Sequence, residues 1–180
     1  MKARIYGRVV ASEVDGPGVR AVVHFAGCSV RCPGCFNKDL WEVDGPGVRE
    51  VDVADLAEEI LFISTDVTLS GGEPTDQAQA LYGLLAHLHG RATSVILFTG
   101  KQAATANLEA AGVDAVIDGP YDASQPETTW LRGSTNQRIL VLSDRLSYAE
   151  MKARNVQVLV IGDQLVVTGF PTADLIGGLS

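Results

Sequence analysis

Short runs of apolar residues alternate along this chain with longer segments in which apolar residues recur every three or four positions. The runs Val19–Phe25, Val67–Leu69 and Ser94–Phe98 are rich in β-branched and aromatic residues and predict strands. The segments 52–63 and 76–90 carry apolar residues at helical spacing. Strands that alternate with helices pair in parallel through right-handed crossovers, so this pattern predicts an α/β fold with about six core strands.

The carboxyl-terminal part of the chain departs from that alternation. Val156–Ile161 and Leu165–Thr168 are both apolar, and Gly162-Asp163 between them is a turn pair, which predicts a β-hairpin. We therefore expect a main domain over 1–143 and a hairpin extension over 144–180 that packs on the same domain.

Charge narrows the range of partners. The 180 residues include 22 acidic and 14 basic side chains, a net charge of −8, so the chain lacks the basic excess that nucleic acids and anionic membranes require. No apolar run reaches the length of about 18 residues that a membrane span needs, and no apolar stretch follows the basic start as in a signal peptide. We expect a cytoplasmic protein without nucleic-acid or membrane partners.

The candidate chemistry begins with three cysteines in one short stretch. Cys28, Cys32 and Cys35 have the spacing C-x3-C-x2-C, and the chain has no other cysteine. In a reducing compartment such a cluster indicates a metal site rather than disulfides. Three thiolates can hold three irons of a 4Fe–4S cluster, whereas closed electron-transfer clusters use four cysteines. The fourth iron would then be free to bind a substrate.

Two other interpretations of the cysteines stay open. A zinc site could use the three thiolates together with His24, His87 or His89, although the two separated ligand pairs of a typical structural zinc site are absent from the sequence. The cysteines could also lie together without any metal.

A second candidate motif, Gly71-Gly72-Glu73-Pro74, follows a predicted strand. Two glycines at the carboxyl end of a strand let the backbone approach a ligand closely, and ligands of parallel α/β folds bind at that end. Backbone carbonyls and the Glu73 carboxylate could accept hydrogen bonds from an ammonium group. Taken alone, the motif is more typical of a tight turn.

One stretch of sequence occurs twice. The octapeptide EVDGPGVR at 13–20 recurs unchanged at 42–49. Because Asp-Gly-Pro-Gly favours turns, we interpret the pair as two similar turns and not as a repeated domain.

These motifs together resemble a known superfamily. The cysteine spacing followed by Gly-Gly-Glu-Pro resembles the radical S-adenosylmethionine (SAM) superfamily. The segments flanking the cysteines are similar to those of the activating enzymes of glycyl radical enzymes: Asp15–Arg20, Gly27-Cys28 and Cys35–Trp41. Other segments are similar to the activating proteins of anaerobic ribonucleotide reductase: Phe98–Gly100, Val116–Gly119 and Leu131–Gln137. The similarity covers 14–142. That family commonly has Tyr where this chain has Lys101, and its compact members end before the predicted hairpin.

The resemblance implies a partial open (β/α) barrel and an oxidoreductase. It implies that Cys28, Cys32 and Cys35 hold a catalytic 4Fe–4S cluster and that SAM chelates its open iron. Reductive cleavage of SAM would give a 5′-deoxyadenosyl radical, which takes a hydrogen atom from a glycine of a partner glycyl radical enzyme. The partner implied is the large subunit of class III (anaerobic) ribonucleotide reductase, with a flavodoxin or ferredoxin as the electron donor.

The resemblance also suggests which residues contact SAM. Gly71, Gly72 and Glu73 would hold the methionine ammonium, and Thr99 would line the SAM pocket. Asn37 could bind SAM or a cluster sulfur, or could be an ordinary loop cap. Two other function classes stay open, namely a radical SAM enzyme for a small molecule or peptide and a non-enzymatic iron–sulfur or zinc module.

Overall fold

A mixed β-sheet covered by helices forms the centre of the molecule. The structure is a computed structural model that describes residues 1–152, 156–161 and 164–169. Within them the sheet has eight strands: β1 Lys2–Tyr6, β2 Val10–Ser12, β3 Arg20–Phe25, β4 Val48–Asp52, β5 Asp66–Gly71, β6 Ser94–Thr99, β7 Ala115–Asp118 and β8 Arg138–Val141. The helices are α1 Val53–Ile63, α2 Ala78–Leu88 and α3 Thr105–Ala110.

The order of the strands is β4-β1-β3-β5-β6-β7-β8, and β2 also pairs with β3. Strands β3, β5, β6 and β7 are parallel, whereas β1, β2, β4 and β8 pair antiparallel with their neighbours. The predicted α/β class is therefore confirmed as a mixed α/β fold. In the part of the chain that the structure describes, β4 and β8 lie at opposite edges without pairing, so the sheet is open.

Alternation along the parallel strands produces two apolar layers. In β6, Val95 and Leu97 belong to the larger core under the helices, while Ile96 belongs to a smaller core on the other face. Helix α1 begins where the Asp52 carboxylate accepts a hydrogen bond from the amide of Ala54 at 2.9 Å, which satisfies one of the free amides of its first turn. Its buried residues face the larger core: Val53, Leu56, Ala57 and Ile60.

The structure corrects two details of the sequence interpretation. About six core strands were expected, and the sheet has eight, in part because the first residues form two strands, β1 and β2, which separate at Gly7, where φ is +65°. The second detail concerns β4, Val-Arg-Glu-Val-Asp. This half-buried edge strand was not predicted, because its charged residues interrupt the apolar pattern. None of the described helices is long and apolar enough to cross a bilayer.

The predicted hairpin forms a small sheet of its own. Strands β9 Gln157–Ile161 and β10 Gln164–Thr168 pair antiparallel, while the predicted turn at Gly162-Asp163 lies outside the described residues. The segment before the hairpin packs on the main sheet, because Leu146 and Met151 are buried in the smaller core.

Candidate functional site

A cavity of about 160 Å³ lies at the carboxyl ends of the parallel strands β3, β5, β6 and β7. Ligands of parallel α/β folds bind at this end, because the loops that follow the strands meet there. All eight candidate residues of the sequence analysis line this one cavity: Cys28, Cys32, Cys35, Asn37, Gly71, Gly72, Glu73 and Thr99. Residues up to 71 positions apart in the chain are thus brought together.

Backbone hydrogen bonds fix the cysteine loop, residues 28–35, at its beginning and within its last turn. The amide of Cys28 donates to the carbonyl of Trp41 at 3.1 Å, and the amide of Cys35 donates to the carbonyl of Cys32 at 3.1 Å. Two left-handed residues shape the turns between the cysteines, Arg31 with φ +48° and Gly34 with φ +79°. Glycine adopts such a φ freely, whereas Arg31 is an uncommon case.

The three thiols fit an iron–sulfur cluster by their chemistry. All three are free and half-buried, and all face the same cavity. Thiolates are the ligands that iron–sulfur clusters use. Burial raises the pKa of the Cys32 thiol, and the neighbouring Cys35 and Cys28 add to that shift, whereas hydrogen bonds from backbone amides oppose it. A bound metal would favour the thiolate despite the burial of Cys32, because metal binding removes the thiol proton.

The histidines of the zinc interpretation divide into two groups. His24 lines the cavity from β3. His87 and His89 are exposed at the carboxyl end of α2. Among the described residues, no three His, Cys, Asp or Glu side chains form a group that could hold a single metal ion.

The two glycines of the second motif are required by the protein itself. A Cβ on Gly71, where φ is +114°, would overlap the backbone nitrogen of Phe25, and a Cβ on Gly72 would overlap the carbonyl oxygen of Gly27. This close approach permits two hydrogen bonds of 2.8 Å, from Gly72 N to Phe25 O and from Glu73 N to Gly27 O. The motif therefore joins the end of β5 to the beginning of the cysteine loop.

Glu73 ties the ends of β5 and β6 together. It is fully buried, and its Oε1 accepts hydrogen bonds from Thr75 N at 3.0 Å, Thr75 Oγ1 at 2.6 Å and Thr99 Oγ1 at 2.7 Å. Its Oε2 accepts one, from Gly100 N at 2.7 Å. Since a carboxylate oxygen accepts about two bonds, Oε2 is the oxygen with capacity left for a ligand.

Asn37 precedes a short 3₁₀ turn, Lys38–Leu40, but its side chain makes no capping hydrogen bond there. The amide side chain lies in the cavity lining instead. This geometry favours the ligand interpretation of Asn37 over the loop-cap interpretation.

Other residues of the cavity wall, apart from His24 of the zinc interpretation, were not among the predicted candidates. Asp15 belongs to the first copy of the octapeptide, and His24 and Ser70 lie at register partners of β3 and β5. Burial lowers the pKa of His24, and the Asp15 carboxylate opposes that shift. A signal for His24 and Ser70 was present, since they alternate with the core residues of their strands and must point to the other face. Tyr121, Gln137 and Val167–Gly169 had no comparable signal.

Comparison with known proteins agrees with the chemistry of this site. The family model described as 4Fe-4S single cluster domain matches residues 14–140. The anaerobic ribonucleoside-triphosphate reductase-activating protein of Enterobacteria phage T4 is 32% identical over 144 residues, which is 74% of this chain and 92% of that protein.

Two relatives match over a shorter part. The pyruvate formate-lyase 1-activating enzyme of Escherichia coli K12 is 40% identical over 83 residues, 42% of this chain and 33% of that enzyme. The pyruvate formate-lyase-activating enzyme of Staphylococcus aureus USA300 is 37% identical over 95 residues, 49% of this chain and 38% of that enzyme.

A loop of three thiols at the ligand-binding end of a mixed α/β sheet, together with these matches, defines an iron–sulfur protein. The chain belongs to the 4Fe-4S single cluster domain family and, within it, to the radical SAM activating enzymes of glycyl radical enzymes.

Proposed function

We propose that Cys28, Cys32 and Cys35 bind three irons of a 4Fe–4S cluster and that SAM binds at its fourth iron. The observation that carries this proposal is the single cavity between the cysteine loop and the Gly-Gly-Glu-Pro loop. A ligand there would contact both motifs at once. The chain supplies three thiols and no fourth, which leaves one iron open to SAM.

Different residues around the cavity would bind different parts of SAM. The carbonyl oxygens of Gly71 and Gly72 and the Oε2 atom of Glu73 are the acceptors for the methionine ammonium. A hydrogen bond between charged groups is about twice as strong as one between neutral groups, so Glu73 fixes the orientation of that end. Thr99 and Asn37 also line the cavity and would contact other parts of SAM.

When bound, the reduced cluster and SAM together supply a 5′-deoxyadenosyl radical that removes a hydrogen atom from a glycine. The protein contributes positioning and the exclusion of water, because such a radical attacks almost any nearby C–H bond. We propose that the open sheet is a partial (β/α) barrel of the radical SAM type, whose open side admits a loop of a partner protein. We also propose that 1–143 form this partial-barrel domain and that 144–180 are a hairpin extension packed on the same domain.

The partner that we propose is class III ribonucleotide reductase, reduced through a flavodoxin or ferredoxin in the cytoplasm. The match with the phage reductase-activating protein extends over 92% of that protein and supports this choice. The match with the pyruvate formate-lyase activating enzyme of E. coli extends over 33% of it and leaves that partner less supported.

Anaerobic reconstitution with iron and sulfide tests the cofactors. We expect the visible absorbance of an iron–sulfur cluster and, with dithionite, cleavage of SAM to methionine and 5′-deoxyadenosine. Replacing any one of the three cysteines with Ala removes a cluster ligand and should abolish both signals. Lys38→Ala changes an exposed residue just after the cysteines and is the matched control. A cysteine variant with full iron content and full SAM cleavage would reject the assignment.

The partner is tested separately by electron paramagnetic resonance (EPR). The reconstituted chain is incubated with SAM and either the large subunit of anaerobic ribonucleotide reductase or pyruvate formate-lyase. We expect the glycyl radical signal on the reductase. A signal on pyruvate formate-lyase alone would assign the other partner, and SAM cleavage without a radical on either would favour a different substrate.

A further inference from the structure

Three segments that line the cavity are joined at its edge through one carboxylate, that of Asp76. Its Oδ2 accepts a hydrogen bond from the amide of Ser29 at 2.7 Å, and its Oδ1 accepts from the Ser29 hydroxyl at 2.8 Å. The Lys101 ammonium donates to Oδ1 at 2.5 Å. Ser29 follows Cys28, and Lys101 follows Gly100, whose amide binds Glu73. We call these three residues the Asp76 brace.

Asp76 belongs to a turn that several hydrogen bonds hold in place. Asp76 belongs to the 3₁₀ turn Pro74–Gln77 that directly follows the Gly-Gly-Glu motif, and its amide donates to the carbonyl of Glu73 at 3.0 Å. The next side chain, Gln77, donates to the carbonyls of Arg4 at 2.7 Å and Ala26 at 2.9 Å. The backbone that carries the carboxylate is therefore tied to the sheet, so the brace can restrain the cysteine loop.

The brace also places charge beside the cysteines. The side chain of Asp76 is 24% exposed and that of Lys101 is 43% exposed, so both charges are partly shielded from water. Burial tends to raise the pKa of Asp76, but the hydrogen bonds from Lys101 and Ser29 outweigh it and the pKa is lowered. The pair thus brings one negative and one positive charge next to the loop that begins at Cys28.

We propose that Lys101 is a positioning residue for the iron–sulfur cluster. Asp76 restrains the loop between Cys28 and Cys32 through its bonds to Ser29, and the Lys101 ammonium holds that carboxylate and neutralises its charge. The proposal rests on the proposed function, because it assigns the cluster to this loop. Since reduction adds an electron to a cluster, an unpaired negative charge nearby disfavours reduction, and an unpaired positive charge favours it.

The restraint is tested first on the protein without metal. Asp76→Ala removes the acceptor of the Ser29 amide, and hydrogen exchange at that amide should accelerate roughly tenfold, as expected for a lost bond to a charged group. Asp76→Asn retains an acceptor oxygen and should keep most of the protection. Glu58→Ala is the control. It breaks an exposed ion pair with Arg91, which lies just before the amino end of β6, away from Lys101. Unchanged exchange in Asp76→Ala overturns the restraint.

The charge effect is tested by redox titration of the reconstituted protein, followed by EPR. Lys101→Met leaves the carboxylate unpaired and should lower the reduction potential, whereas Asp76→Asn leaves the ammonium unpaired and should raise it. Each change should alter the ratio of reduced to oxidised cluster about threefold at a fixed potential, in keeping with a partly exposed charge. The double variant should return close to the wild type, and higher salt should shrink both shifts.

A purely structural role of the pair would move both single variants in the same direction or in neither, and either result overturns the proposal. Arg91→Met is the control for loss of a cation far from the cysteines. If the wild-type chain takes up no cluster, the proposed function fails. The exchange experiment then still decides whether the brace restrains the loop.

Discussion

The two copies of EVDGPGVR have identical sequences and different surroundings. The first copy, 13–20, ends at the start of the central strand β3, and the second, 42–49, runs into the edge strand β4. The last glycine of each copy is left-handed, with φ +76° at Gly18 and +83° at Gly47. This shared conformation follows from the local sequence, so the interpretation as two similar turns holds at that position.

The arginines that end the two copies differ most. Arg20 is fully buried and donates hydrogen bonds to Val67 O at 2.6 Å, Thr68 Oγ1 at 2.8 Å and Ser94 Oγ at 3.0 Å. Burial lowers its pKa to about 10, which still leaves it charged at neutral pH. The side chain of Arg49 is 36% exposed and pairs with Glu59 at 2.6 Å. The same residue thus joins three central strands in one copy and makes a surface ion pair in the other.

Replacing the two arginines should give the largest difference between the copies. Arg20→Met leaves several buried acceptors without their donor and should lower the free energy of unfolding by roughly 3 kcal/mol or more. Arg49→Met removes a half-exposed pair and should cost less than about 1 kcal/mol. Urea denaturation of the metal-free chain measures both values. Equal losses would mean that burial of Arg20 does not distinguish the copies.

The first glycine of each copy provides the second test. Gly16 has φ +139°, and a Cβ there would lie 2.7 Å from Arg20 Cδ and 2.8 Å from Ile96 Cδ1. Gly16→Ala should therefore destabilise the fold by about 1–3 kcal/mol. A Cβ on Gly45 meets its nearest atom, Glu42 Cβ, at 3.4 Å, so Gly45→Ala should change stability by less than about 0.5 kcal/mol. The same denaturation experiment decides, and a harmless Gly16→Ala would contradict the geometry.

This comparison also separates what sequence could predict from what it could not. Most candidate residues could be predicted because they belong to short motifs. Residues that are neighbours in one loop stay close together whatever the order of the strands. The burial of Arg20 was not predictable, because the same octapeptide occurs at 42–49 and only the strand order decides which copy is covered. The antiparallel edge strand β4 was missed for a related reason, since an edge strand needs no continuous apolar run.

The hairpin gives a smaller test, because two hydrogen bonds join it to the beginning of the first copy and to Ser12 just before it. Its base is attached by Gln157 Oε1, which accepts from the amide of Glu13 at 3.0 Å, and by Thr168, whose hydroxyl lies 3.2 Å from that of Ser12. Removing the chain after Lys152 keeps the buried Met151 and takes these bonds away. We expect a folded protein that is less stable by about 1–2 kcal/mol. Thermal denaturation measures the loss, and an insoluble product would show that the hairpin is essential to the fold.

The smallest effect should come from the aspartates of the two copies. Asp15 lines the cavity near His24, whereas Asp44 is 77% exposed and pairs with Arg4 at 2.6 Å. Because Asp15 opposes the effect of burial, Asp15→Asn should lower the pKa of His24 further, and Asp44→Asn should leave it unchanged. NMR titration of the metal-free chain measures this.

The lowered pKa of His24 should also make the stability of the fold depend on pH. The pKa of His24 is lower in the folded chain than the value of about 6.5 in the unfolded chain, so the unfolded chain binds more protons as the pH falls below that value. Folding is therefore weakened as the pH falls from about 6.5 through the folded pKa, and it is unaffected by His24 above that range. Asp15→Asn extends this loss to lower pH and deepens it, while Asp44→Asn follows the wild type. A His24 pKa that stays unchanged in Asp15→Asn would show that the carboxylate does not act on the imidazole, and the two aspartates would then be alike in this respect.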